Sequence, residues 1–271
     1  MTYLDEMFGL ANRTTIVAGG AGAIGSAMSE ALLKAGAKVV IWSRSDDSLR
    51  IVQANLREIE NSRDRIFTYR VDTNSEPQVT KALEQCKKEV GDAEILINAV
   101  GGNMGKSNLV ETDLGLFPRI IELNLMAGLM VPTKVIAAHW IKHSIKGTII
   151  NLASMASYNP LSGVWAYDAA KAAVLNLTKA TANELARHGI RVNAIAPGFF
   201  LGKQNRALLV DQKTNELTER GRAVIAHTPW GRFGDINELA GVTLFLASDK
   251  ASGFVTGVCI PVDGGYLAYN I

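Results

Sequence analysis

Short runs of apolar, β-branched residues alternate with helix-length segments almost from the first residue, and that rhythm restricts the chain to one architectural class. Thr14 to Ala18 (TTIVA), Lys38 to Trp42 (KVVIW), Arg65 to Val71, Ala93 to Asn98 (AEILIN), Gly147 to Leu152 (GTIINL), Arg191 to Ile195 and Val258 to Val262 read as seven strands. Helical patterns lie between them at about 24–35, 46–61, 76–90, a long region ending near His143, and 165–187. Continuous apolar strands are buried on both faces, and strands joined by helices of this length pair in parallel through right-handed crossovers. The expectation is an α/β fold, doubly wound, with a parallel seven-stranded sheet and helices on both faces. No Pro/Ser-rich linker divides residues 1–271, so a single domain is expected.

Composition narrows the function classes. With 48% hydrophobic and 20% charged residues and no sustained repeat, disorder and coiled coil are excluded. Lys and Arg total 28 against 26 Asp and Glu, a net charge of +2 without a basic block, so neither nucleic acid nor a membrane is expected as a partner. Two cysteines, Cys86 and Cys259, suit a reducing compartment and have no metal spacing. His139 and His143 are four apart but lack a nearby acid in sequence, so no metal is expected. Asp5 and Glu6 stand where a signal peptide is basic, which makes a cytoplasmic location the expectation. Leu123 to Ile141 is the most apolar stretch, but Asn124, Pro132, Lys134 and His139 interrupt it, and it reads as a buried helix. One polar segment breaks the rhythm, at about 199–227, too long for an ordinary connection and suited to a substrate lid. Asp235 and Glu238 then form a capping-box pattern at a helix start.

The turn Gly19-Gly20-Ala21-Gly22-Ala23-Ile24-Gly25 follows the first strand and opens the first helix. Free N–H groups and the positive end of the helix dipole at that place suit a pyrophosphate. Glycines permit the tight turn and close approach of backbone to ligand, and Gly25 lets helix and strand pack closely. The context is that of a dinucleotide-binding Rossmann fold, although glycine-rich turns also serve packing alone. At the end of the second strand stand Ser43 and Arg44, where a carboxylate would repel a 2′-phosphate. With no acid there and a guanidinium able to pair a phosphate, NADP(H) is favoured over NAD(H). A merely solvated arginine is the plainer alternative.

Tyr167 and Lys171 lie four apart on one helix face, and Ser154 follows the fifth strand at its carboxyl end, where open α/β sheets bind ligands. An exposed Tyr/Lys pair is a common accident; the position is what gives it meaning. A carbonyl gaining a hydride needs a proton on oxygen. Tyr167 is suited to donate it if the Lys171 ammonium lowers its pKa, with Ser154 holding the substrate oxygen.

Together these motifs resemble the short-chain dehydrogenase/reductase family from Thr14 to Tyr266. The family's glycine turn corresponds to Ala18, Gly19, Ala23, Ile24 and Gly25, and its Asn-Asn-Ala-Gly to Asn98-Ala99-Val100-Gly101. The resemblance assigns catalytic roles to Asn124, Ser154, Tyr167 and Lys171, with Asn124 holding a water on a proton relay. It assigns cofactor contacts to Gly19, Ala21, Gly22, Ala23, Ile24, Gly25, Ser43, Arg44, Asp72, Asn98, Ala99 and Gly101. Tyr167, Lys171, Pro197, Gly198 and Phe200 complete the cofactor contacts, and Val262-Asp263-Gly264-Gly265 is a further landmark. Ala18 and Ala23 depart from the family's Thr and Gly, and Gly202 from a Thr that contacts the carboxamide.

GGN after the fourth strand, PGFF followed by QNRALL, and HTPWGRFG are similar to the family's sugar-acid branch, of D-mannonate oxidoreductase or fructuronate reductase type. That implies reversible reduction of a keto sugar acid, with Asn103, Ser154 and Arg206 as substrate contacts. Gly202-Lys203 stand where this branch has Thr-Glu. A same-family reductase of 3-oxoacyl or small ketone substrates is the alternative, and a non-catalytic nucleotide sensor a remote one. Relatives usually associate through the Tyr/Lys helix, here rich in alanine, which implies a homotetramer.

Overall fold

The computed structural model describes residues 2–202 and 206–270. Its strands are β1 (Thr14–Ala18), β2 (Lys38–Ser43), β3 (Ile66–Arg70), β4 (Ile95–Asn98), β5 (Thr148–Leu152), β6 (Arg191–Pro197) and β7 (Cys259–Val262). They form one seven-stranded sheet in the order β3-β2-β1-β4-β5-β6-β7, every pair parallel. This is the doubly wound Rossmann arrangement expected from the alternating pattern. Because β1 pairs with both β2 and β4, the chain reverses direction across the sheet there. A crevice opens at such a switch point, between the turn after β1 and the loop after β4.

The principal helices are α1 (Ala23–Lys34), α2 (Asp46–Leu56), α3 (Glu76–Glu89), α4 (Leu116–Lys142), α5 (Trp165–Leu185), α6 (Glu219–Ala226) and α7 (Leu239–Ala247), beside short ones at Tyr3–Phe8, Arg206–Leu209 and Asp249–Ser252. Alternate residues of each strand serve opposite faces. Val17 packs in the cluster containing Met28, Leu32, Leu49 and Leu246, so α1, α2 and α7 cover that face. Ile16 and Ala18 pack with Val79, Leu83, Ile136, Trp140 and Leu185, so α3, α4 and α5 cover the other. Trp140 lies flat against Gly147, leaving no room for a Cβ there, and donates from Nε1 to the Ala93 carbonyl at 2.6 Å.

Helix α4 is long and apolar enough to cross a membrane by length and composition, but 56% of its most apolar window is buried inside the fold. Its middle, Glu122–Met130, winds as a π-helix, which the sequence pattern does not announce. The cause is local: Asn124 Nδ2 donates to the Ile120 carbonyl at 2.9 Å, the acceptor that α-helical winding gives to the Asn124 N–H.

The segment at 199–227 has structure of its own. Leu209, Val210 and Val224 form a cluster with Phe199, Leu201, Leu217 and Phe233, separate from the sheet cores. A bridge joins Val210 to Leu217, and Thr218 caps α6 by accepting from Gly221 N at 3.0 Å. Asp235 completes the expected capping box with Glu238.

Candidate active site

A cleft of about 560 Å³ runs along the carboxyl ends of the strands at the switch point. Gly19, Ala21 and Gly22 form one wall and Ala99, Val100 and Gly101 the facing one, while Ser43, Arg44 and Asp72 line the end beyond β2. Gly19 adopts φ +81°, and a Cβ on it would stand 2.7 Å from the Ala99 backbone, so the two walls meet only because the side chain is absent. A Cβ on Gly25 would meet Gly19 O and Gly20 Cα, which makes this the packing glycine the sequence predicts. Ala23, Ile24 and Gly25 form the first turn of α1, whose leading N–H groups have no partner within the helix. Together these features fit an extended dinucleotide with its pyrophosphate at the α1 N-terminus. Arg44 is exposed and makes no ion pair among the described residues. Asp72 accepts from Asn74 N at 3.1 Å, an Asx turn that also borders the cleft.

Two cofactor candidates are placed differently. The Asn98 side chain is turned away from the cleft into a buried polar layer. Its Nδ2 donates to Thr133 Oγ1 at 3.0 Å and to Asn151 Oδ1 at 2.9 Å, and Asn151 donates on to Thr178. Phe200 lines a separate apolar cavity of about 730 Å³ near Thr228 and Gly264, its ring against Gly234. Pro197 ends β6, and Gly198 packs on Asp263 so closely that a Cβ would stand 2.6 Å from its Cα.

The candidate reaction centre assembles from β5, α4 and the start of α5. Ser154 caps a single turn, Met155–Ser157, and accepts from Ala156 N at 3.1 Å. Ser157 closes the box: its Oγ accepts from Ser154 N at 3.2 Å and donates to the Lys171 carbonyl at 2.6 Å. That links the Ser154 turn to the helix bearing Tyr167. Lys171, only 4% exposed, donates from Nζ to the Leu152 carbonyl at 2.7 Å and lies 5.8 Å from the Tyr167 ring centroid. Asn124, fully buried, clamps the loop after β4. It accepts from Gly102 N at 3.0 Å and donates to Gly102 O at 2.7 Å. A Cβ on Gly101 would stand 2.7 Å from Asn124 Oδ1 and 3.2 Å from Lys171 Nζ, so a glycine is required where these two groups converge.

Electrostatics correct one expectation. Burial pushes the Tyr167 phenol above its ordinary value; a hydrogen bond with Ser154 opposes this, and the Asp168 charge adds to the rise. The ammonium does not depress it because Lys171 is itself pushed down to about 8 by burial and is uncharged where the phenol ionises.

The substrate candidates diverge. Asn103 lines a small cavity of about 170 Å³ together with Lys106, Trp165 and Ala166, beside the start of the Tyr167 helix. Arg206 donates to Asn215 Oδ1 at 3.0 Å within the lid itself. Lys203, Gln204 and Asn205 lie outside the described residues. His139 Nε2 pairs with Asp92 at 2.9 Å, and no group of metal-ligating residues forms among the described residues. Sequence reasoning missed Ser157 and the Leu152 carbonyl. The spacing of Ser154 and Ser157, an i, i+3 capping pair, was the signal that would have found the first.

Known proteins resemble this chain in sequence and in overall fold. The family model described as enoyl-(acyl carrier protein) reductase matches residues 19–267. An uncharacterized oxidoreductase, UxuB, of Bacillus subtilis (strain 168) is 37% identical, the match covering 96% of this chain and 97% of the relative. Among solved structures, a proposed D-mannonate oxidoreductase from Haemophilus influenza with bound NAD superposes with a TM-score of 0.88 at 30% identity. It covers 98% of this chain and 99% of its own. A gluconate 5-dehydrogenase from Burkholderia cenocepacia J2315 in complex with NADP and tartrate gives 0.87 at 30% identity, covering 99% and 100%.

Proposed function

Because the chain belongs to the short-chain dehydrogenase/reductase family and is an NAD(P)-dependent oxidoreductase acting on CH–OH groups, we propose that its substrate is a sugar acid of the fructuronate/D-mannonate type. The observation carrying the reading is the convergence of Ser154, Tyr167 and Lys171 at the carboxyl edge of β5, beside a cleft shaped for a dinucleotide. The neighbours that hold NAD, or NADP with the hydroxy acid tartrate, support it.

When bound, the nicotinamide supplies or accepts the hydride. The chain's own residues handle the oxygen. Ser154, fixed by Ala156 and Ser157, presents its hydroxyl to the substrate oxygen. Tyr167 delivers a proton to that oxygen in reduction and removes it in oxidation. Lys171, held at Leu152 beside the Tyr167 ring, is placed to bind the ribose side of the cofactor. Asn124 holds the Gly101–Gly102 turn that forms the wall between them. Asn103 and Arg206 are the substrate contacts in this reading, the latter on leaving Asn215 as the lid closes.

NADP(H) is the favoured cofactor, since Arg44 lines the cleft with Ser43 and Ser48 and no acid of β2 competes. A cytoplasmic homotetramer is the expected form, with Ala169 and Ala172 of α5 and Met126 of α4 exposed for association. The test is steady-state turnover of fructuronate, a neutral ketose and a 3-oxoacyl thioester with NADPH and with NADH. Preference for the carboxylated sugar and for NADPH is expected. Higher kcat/KM with NADH discards the Arg44 role, and turnover confined to the thioester discards the sugar acid. Light scattering giving a monomer mass removes the tetramer.

A further inference from the structure

Asp168 directly follows Tyr167 and is only 9% exposed. Its Oδ1 accepts from Leu161 N at 3.1 Å, whereas Oδ2 is buried with no hydrogen-bond partner among the described residues. A carboxylate oxygen removed from water and left unpaired is costly, and the catalytic roles above make no use of it. Its one bond reaches the 158–163 loop, between Ser154 and the Tyr167 helix. That loop is joined to the loop after β4, since Ser107 N donates to Gly163 O at 3.1 Å and Trp165 Nε1 to Ser107 O at 3.2 Å. Asp168 thus sits where the substrate-side loops meet the proton donor.

We propose that Asp168 is a positioning residue of the reaction centre: its carboxylate pins the substrate-side loop through Leu161, and its uncompensated charge keeps the neighbouring Tyr167 phenol protonated for carbonyl reduction. The inference rests on the acid/base role given to Tyr167. Losing a proton from the phenol beside a buried carboxylate creates two like charges in a medium of low dielectric, so the phenol holds its proton to higher pH. The Coulombic effect of Asp168 on Tyr167 has that sign.

Other charged groups around the phenol do not cancel this. On the same helix, Lys171 is pushed down to about 8 by burial, so it has lost its charge before the phenol ionises. On α4, Arg119 and Glu122 line the cofactor cleft. In the loop after β4, Lys106, Glu111 and Asp113 border the small cavity. The Met155–Ser157 turn and β5 carry no charge, Tyr158 donates to the Cys259 carbonyl, and Arg191 of β6 is bonded to Asp249.

The test needs no substrate. Phenolate absorbance is titrated in the wild-type protein and in Tyr167→Phe, so that the difference isolates Tyr167. The same pair is then titrated in an Asp168→Asn background, which keeps an acceptor for Leu161 and removes the charge. The expected result is ionisation of Tyr167 about one pH unit lower in Asp168→Asn. Asp168→Ser, also neutral and able to accept from Leu161, must give the same displacement. In turnover, reduction should lose kcat/KM at correspondingly lower pH while KM stays near wild type. Asp168→Ala, which frees the loop, should raise KM as well. Superimposable Tyr167 titrations in the charged and neutral proteins overturn the proposal. If the titration shifts but no sugar acid is turned over, the substrate reading fails and this inference stands.

Discussion

The reaction centre and the lid sit at the same edge of the sheet yet are built in opposite ways. Ser154, Asn124 and Lys171 are buried, and each is fixed by hydrogen bonds to backbone from another element or turn. The lid's polar groups bond mainly to one another: Asp211 accepts from Lys213 N and Thr214 N, and Arg206 donates to Asn215. Phe199, Leu201, Leu209, Val210, Leu217 and Val224 form a cluster of their own with Phe233, whereas Phe200 joins a sheet core. In the proposed function the chemistry is therefore preorganised by the fold, whereas selectivity would rest on a unit whose packing is mostly local.

The largest expected effect tests the preorganised half. Tyr167→Phe removes the proton donor without changing the shape of the helix, and kcat should fall by about 10²–10⁴-fold. Thermal stability and dinucleotide affinity, read by nicotinamide fluorescence, should change little. Retained turnover would assign the proton to another group and dissolve the contrast.

Next in size is a pH dependence. The Lys171 ammonium is pushed down from 10.5 to about 8 by burial. Between those values the unfolded chain binds more protons than the folded one, so this group makes wild-type stability rise with pH across that window. Below about pH 8 both states are protonated and the contribution is flat. Relative to Lys171→Met, wild-type unfolding free energy should gain roughly 3 kcal/mol across the window. Urea titrations at several pH values measure it; a constant gap between the two proteins would mean that the ammonium is solvated normally.

The same contrast explains what the sequence revealed. The strand pattern and the glycine turn point to the parallel sheet and the cleft, because buried parallel strands and an N-terminal anion site leave few alternatives; the strand order itself is not written in the pattern. Ser154, Tyr167 and Lys171 were legible from spacing along single elements. Asn98 was assigned to the cofactor, yet its amide goes to Thr133 and Asn151, which lie 35 and 53 residues away in sequence. Partners that distant leave no local pattern. The π-helical winding at Asn124 was equally hidden, since it depends on a side chain competing for the Ile120 carbonyl. The direction of the Tyr167 shift was missed because burial, not the adjacent lysine, dominates it.

A smaller effect probes whether the lid is a separable unit. Gly221 packs so tightly on the Leu209 carbonyl that any Cβ must displace α6. Gly221→Val should raise substrate KM about tenfold, an order set by loss of one or two packing contacts, with kcat and the main unfolding transition near wild type. A fall in overall stability comparable to a sheet-core lesion would show that the lid and the sheet share one core.

The smallest effect concerns Arg206, where the sequence and the structure pull apart. Its guanidinium is exposed and donates to neutral Asn215, a contact worth on the order of 1 kcal/mol at most in water. If the lid keeps that bond when substrate is bound, Arg206→Ala should change KM by less than about threefold, equally for fructuronate and for a neutral ketose. If the guanidinium leaves Asn215 to meet a carboxylate, the loss falls on fructuronate alone, because only the charged substrate gains the charge-assisted bond. Asn215→Ala separates the two cases: freeing Arg206 should then lower KM for the carboxylated sugar and leave the neutral one untouched. Equal, small changes in both variants would leave the lid's cation as solvated surface, with carboxylate recognition falling to the loops around Asn103 and Lys106.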